Sequence, residues 1–210
     1  MHKKYFVTLF YLILFSFNSV AYAQRNAFRS PTFNLKIHQH TYTGEKNKSF
    51  ADTGTGYGVS LEKLFRYDIL VPYFGISMGT HSGKQSFLDD KTEKKAYYLF
   101  QYGAAEVGAY LFPAGRQVKG MSFYVKGAGL FGYNALSIDS NIKFTKLTNS
   151  EQNYSGGYKG AVGLEWIFNR KSKYGKWSFY GEVGFKKEQT VLAKQNFSLD
   201  TLTYSLGLGW

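Results

Sequence analysis

The last eleven residues, D-T-L-T-Y-S-L-G-L-G-W at positions 200–210, constrain the fold more than any other stretch. Leu202, Tyr204, Leu206, Leu208 and Trp210 alternate without a break with Thr201, Thr203, Ser205, Gly207 and Gly209. A repeat of two, large and apolar on one side and small or polar on the other, belongs to a strand with two different faces. An isolated strand cannot satisfy its backbone, so the rest of the chain must supply a sheet.

The opposite end carries an export signature. His2, Lys3 and Lys4 precede an apolar run at 5–17, and Ala21-Tyr22-Ala23 follows it. A basic start, a short apolar core and a small-residue site make a secretory signal peptide, with cleavage expected after Ala23. Residues 24–31 then read as a short polar leader, and 32–210 as one domain. No later stretch is apolar enough for a membrane helix. The sequence has no cysteine, so an exported domain of this kind has to be held by packing and backbone pairing.

The formal charge is +12, and removal of Lys3 and Lys4 lowers it by two to +10. Such an excess suits anionic surfaces. Nucleic acid is not expected as a partner, since no recognition motif for it is visible. Aromatic residues make up 19% of the chain, with 23 glycines and three prolines. That balance favours strands packed closely on one side.

Period-two segments recur from about residue 32 onward, at roughly 32–40, 56–62, 69–80, 96–112, 120–136, 158–168, 177–186 and 200–210. The parity blurs at Gly127-Ala128-Gly129, where a bulge is expected. Pro72 lacks a ladder donor and should lie near a strand start or a bulge. Short turns are expected at 66–68, 113–119 and 169–175, and long polar loops at 44–54, 82–95, 137–157 and 188–196. Eight strands with alternating short and long connections predict an all-β, eight-stranded antiparallel up-and-down transmembrane barrel, with short periplasmic turns and long extracellular loops.

The composition of the two faces indicates which one meets lipid. The less apolar face is rich in glycine, alanine and serine (Gly56, Gly58, Gly75, Gly79, Gly163, Gly184) rather than in solvating charges. Small residues fit the narrow interior of a small barrel, so the large apolar residues should point outward. Phe112, Trp166, Phe168 and Trp177 fall by the short turns and Trp210 ends the last strand, and all five are expected to form a periplasmic aromatic belt.

On the signal peptide, the loop alternation and the terminal aromatic strand, the chain resembles the small eight-stranded outer-membrane barrels of the OmpA-transmembrane-domain and OmpX type. The resemblance covers nearly all of 24–210. It implies a monomer in the outer membrane, in contact with lipid and lipopolysaccharide. It also implies delivery by the barrel assembly machinery, with Leu202, Tyr204, Leu206, Leu208 and Trp210 as the assembly signal.

Charges on the small-residue face then need partners, because an isolated buried charge is very costly. Glu62, Glu106, Glu165 and Glu182 share that parity with Lys36, Arg66 and Lys126, and an interior network that plugs the barrel is expected. His38 and His40 share one face without an identifiable third ligand, so no metal or other cofactor is assigned. His81-Ser82 invites comparison with lipid A deacylases and acyltransferases, but neighbours on a strand point to opposite faces. The expected role is therefore structural or surface-interacting, through basic loops and a ligand-binding segment at 137–157. A lipid A-modifying enzyme and a narrow pore are the alternatives.

Overall fold

Every strand is built on the alternation seen in the last one. The computed structural model of the protein describes residues 31–42, 55–65, 67–89, 92–117, 119–138, 150–168, 176–192 and 195–210. Eight strands, β1 Phe33–Tyr42, β2 Thr55–Leu64, β3 Leu70–Asp89, β4 Thr92–Leu111, β5 Gly120–Ile138, β6 Ser150–Phe168, β7 Trp177–Leu192 and β8 Gln195–Gly209, form a closed barrel in sequence order. Each pairs antiparallel with its neighbours, β1 with β8 included. The signal-peptide positions, nearly all of the leader, the 44–54 loop and Arg66 lie outside the described residues.

Closure falls where the terminal alternation predicts it. Leu35 lies opposite Leu208 and Ile37 opposite Leu206. Trp210 completes the seam: its carbonyl accepts from the Thr32 and Phe33 amides at 2.9 and 3.0 Å, and its own amide donates to Phe33 at 2.9 Å. Closure leaves no unpaired edge along the seam, so the alternation can be satisfied in full.

The outer face is the apolar one. Leu35, Ile37, Phe74, Ile76, Phe123, Leu164, Val183 and Leu206 are all exposed, Ile37 at 64% and Leu206 at 60%. Lys36, Glu62, Lys126 and Glu165 are fully or almost fully buried. This is the inverse of a water-soluble barrel.

Three connections are shorter than the polarity of the sequence implies. Positions 82–89 and 92–95 pair as the ends of β3 and β4, with Asp89 opposite Thr92. β5 continues to Ile138 and β6 begins at Ser150, shortening the 137–157 loop, and β7 and β8 pair as far as Leu192 and Gln195. A strand beyond the apolar belt has water on both faces and needs no apolar parity, so polar sequence there does not mean loop. The bulge expected at Gly127–Gly129 is also absent: those residues face Ala109, Ala128's partner Gly108 and Val107 in unbroken register. Three small residues in a row blur parity without breaking the ladder. Pro72 is the third residue of β3, as a strand-start proline should be.

The turn end is closed by its own turns. The Phe112 amide donates to Ile69 at 2.7 Å, and the Arg116 amide to Asp68 at 2.8 Å. Gly115 makes this fold-back possible with φ of +74°. Phe112 is consequently 0% exposed, packed among Leu64, Val71, Tyr73, Tyr110, Tyr124 and Tyr180. It belongs to the interior and not to the aromatic belt, because the chain turns inward directly after β4 ends at Leu111.

Candidate functional site

Inward-facing positions from all eight strands converge on one lumen, and its chemistry changes along the barrel axis. Nearest the turns is an aromatic cup. Tyr73, Tyr110, Phe112, Tyr124 and Tyr180 meet at ring-centroid distances of 4.9–6.2 Å. Arg116 enters the cup from the β4–β5 turn. Its Nε donates to Glu165 Oε2 at 2.7 Å, and its Nη2 to Glu165 Oε1 at 2.6 Å and to the Tyr180 hydroxyl at 2.9 Å. Tyr180 in turn donates to Glu165 Oε1 at 2.5 Å. Burial works against the Arg116 charge, but the Tyr180 oxygen and the Glu165 carboxylate outweigh it and raise its pKa above the ordinary arginine value.

Above the cup sits the main charge network. Glu62 accepts from the Tyr110 hydroxyl and the Lys126 ammonium, and Lys36 stands 3.4 Å from it. Glu182 accepts from Lys36 at 2.6 Å and from the Tyr124 hydroxyl at 2.9 Å. Lys36 also donates to the Tyr110 hydroxyl at 2.7 Å. Lys159 pairs with Glu106. The lysines lie against ring faces as well, with Lys36 Nζ 5.0 Å from the Tyr110 centroid and Lys126 Nζ 4.6 Å from that of Tyr73.

The next layer is polar. His38 bridges Ser60 and Ser205 at 2.7 Å each, and His40 contacts the Tyr102 hydroxyl at 2.5 Å. Lys186 pairs with Glu188 at 2.5 Å, and Glu188 also receives Asn134 at 2.9 Å and Ser155. A cavity of about 30 Å³ remains among His38, His40, Tyr102, Glu106, Lys159 and Lys186, room for a water or two. At the far end Tyr98, Phe100, Leu136 and Ile138 are buried, with Tyr98 3.0 Å from His81 Nδ1.

The expected network residues thus meet in two groups. Lys36, Glu62, Glu106, Lys126 and Glu182 share the central cluster, while Glu165 belongs to Arg116 nearer the turns. Among the described residues, the ion pairs join five cations (Lys36, Arg116, Lys126, Lys159, Lys186) to five carboxylates (Glu62, Glu106, Glu165, Glu182, Glu188). Lys159 and Lys186 had the correct parity to be found from sequence. Glu188 falls in a stretch whose polarity reads as loop, and a turn residue such as Arg116 has no parity to read.

On the outer wall, Trp166, Phe168, Trp177 and Trp210 are 41–51% exposed at the turn end. Trp166 lies 4.9 Å from Phe168, and Trp210 lies 6.3 Å from Trp177 and 6.1 Å from Phe33. In β8, Tyr204, Leu206 and Leu208 are exposed and Leu202 is half-buried. His81 is buried while Ser82 is exposed on the opposite face, so the two form no nucleophile–base pair. His38 and His40 stack at 5.8 Å, and no group of three metal-ligating side chains occurs among the described residues.

No family model matches the sequence, and no curated protein does. Solved structures of Ail, the attachment invasion locus protein of Yersinia pestis, are similar in fold. One is 14% identical with a TM-score of 0.39. The other, a complex with the heparin analogue sucrose octasulfate, is 15% identical with a TM-score of 0.40. Each likeness covers 85% of this chain and 95% of the other.

Proposed function

We propose that the protein is an integral outer-membrane barrel with a structural or surface-interacting role, and neither a pore nor an enzyme. The observation that carries this reading is the inverted distribution of side chains. Apolar residues cover the outer wall, while ten paired charges lie inside it. A membrane rewards that arrangement and water penalises it. The tryptophan and phenylalanine belt marks the periplasmic boundary, and the paired strand ends at the far end project to the cell exterior. Export by the 1–23 signal and assembly guided by Leu202–Trp210 parity belong to the same proposal.

The protein is expected to fractionate with the outer membrane and to run faster on an unboiled SDS gel than on a boiled one. A soluble periplasmic protein without that shift is the outcome against it. The layered lumen supports a plug, since the aromatic cup and the charge network both cross the axis. Purified protein in planar bilayers should therefore show no steady single-channel conductance.

Binding is assigned to the exterior, where basic residues such as Lys143 and Lys146 fall in the sequence and suit lipopolysaccharide phosphates or an acidic surface. Removing 139–149 should abolish cell-surface or lipopolysaccharide binding while the heat-dependent shift persists. Retained binding would move the site elsewhere. Against the lipid A-modifying alternative stands the opposite orientation of His81 and Ser82.

A further inference from the structure

Most inward glycines of the barrel are required by its interior. A Cβ at Gly184 would sit 2.5 Å from the Gly160 carbonyl oxygen, and one at Gly79 2.6 Å from the Tyr102 hydroxyl. Gly181 has no such reason. It lies on the outer face of β7 between Phe179 and Val183, where a Cβ would meet only a Leu206 methyl at 3.9 Å. Glycine inside a strand weakens it and often marks a place where something approaches closely.

The missing side chain opens a groove of about 570 Å³ in the outer wall beside the β1–β8 seam. That is within the ~300–1,000 Å³ range of small-ligand sites. Gly181 lies at its β7 edge, and Ile37, Gln39, Tyr57, Val183, Tyr204 and Leu206 supply its outward side chains. The outer face of β7 runs Trp177, Phe179, Gly181, Val183, Phe185, Lys187. At ~3.3 Å per residue, Gly181 is ~13 Å along the strand from Trp177 and ~20 Å from Lys187, so the groove sits nearer the turn end.

A cation waits at that boundary. Phe33 lies four residues before Ile37 on the same face of β1, ~13 Å along the strand. Lys63 is opposite Phe33 in register, its Nζ 3.8 Å from the ring centroid. We infer that the groove holds one acyl chain of an anionic phospholipid whose phosphate is paired with Lys63. This rests on the outer-membrane reading above. The apolar walls fit a hydrocarbon chain, and Lys63 fits a phosphate at the periplasmic boundary. A second copy fits less well. A twofold contact presents the same patch from both sides. The turn-end half of that patch on β1, β2, β7 and β8 has no outward Asp or Glu side chain among the described residues to meet Lys63.

The test uses the mature protein reconstituted in bilayers of mixed phosphatidylglycerol and phosphatidylcholine, then released gently for native mass spectrometry. The wild-type barrel should retain one phosphatidylglycerol. Gly181→Leu, which fills the groove from outside, should lower that occupancy at least tenfold. Gly103→Leu, on open outer wall elsewhere, should leave it unchanged, and Lys63→Gln should remove the preference for phosphatidylglycerol. Equal retention by Gly181→Leu, or an undiminished preference in Lys63→Gln, overturns the assignment. So does a dimer that Gly181→Leu dissolves, which would give the groove to a second copy. If Gly181→Leu lacks the heat-dependent gel shift, Val183→Trp obstructs the same groove and takes its place. Absence of that shift in the wild type would instead sink the membrane reading itself.

Discussion

Replacing Glu62 with glutamine is expected to cost about 3–5 kcal/mol, the range for breaking a buried ion pair by removing one partner. The side chain is fully buried, and it is the acceptor around which Lys126, Lys36 and the Tyr110 hydroxyl are arranged. Glutamine keeps the shape and removes the charge, so the buried Lys126 loses its nearest carboxylate. Urea titration of the folded protein in lipid vesicles, followed by tryptophan fluorescence, would measure the loss. Adding Lys126→Met should recover part of it, because a buried pair replaced by apolar groups is often neutral. A loss below about 1 kcal/mol would place Glu62 in a solvated setting comparable to a surface pair.

Gly108→Val should be comparably damaging for a steric reason. A Cβ at this inward position would land on the Gly127 carbonyl oxygen and lie 2.6 Å from the Ala128 Cβ. Neither obstacle is the end of a flexible side chain, so β4 and β5 would have to part. A cost of at least about 3 kcal/mol, or no heat-modifiable barrel at all, is expected. The same substitution at Gly103, where nothing lies within 4 Å of a Cβ, is expected to be neutral or to stabilise by up to ~1 kcal/mol. Equal effects at the two sites would mean that the interior has more room than these distances allow.

Parity made most of this architecture legible. One look at Leu202–Trp210 fixes which side chains share a face, and the same rule assigns Lys36, Glu62, Lys126 and Glu182 to a common interior. Parity carries no information where the chain leaves the ladder. Arg116 reaches Glu165 from a turn, and Phe112 folds inward one residue past β4, so neither follows from alternation. Hydrophobicity also fails as a guide to strand length beyond the apolar belt. Positions 82–89 and 92–95 are mostly polar and still paired, because backbone hydrogen bonds need no apolar face. The position of the groove at Gly181 was hidden for a related reason: a sequence shows a glycine but not whether a neighbour would have tolerated a side chain there.

The central charge cluster also has a consequence in time. Lys36 and Glu182 are 146 residues apart in the chain, and Lys126 and Glu62 are 64 apart. Hairpins such as β3–β4 can form locally, but these pairs cannot meet until the sheet has rolled up, so they are among the last native interactions to appear. Interactions absent from the folding transition state show their energy chiefly in the rate of escape from the native state. The cluster therefore acts as a latch: weakening it should hasten unfolding far more than it slows folding.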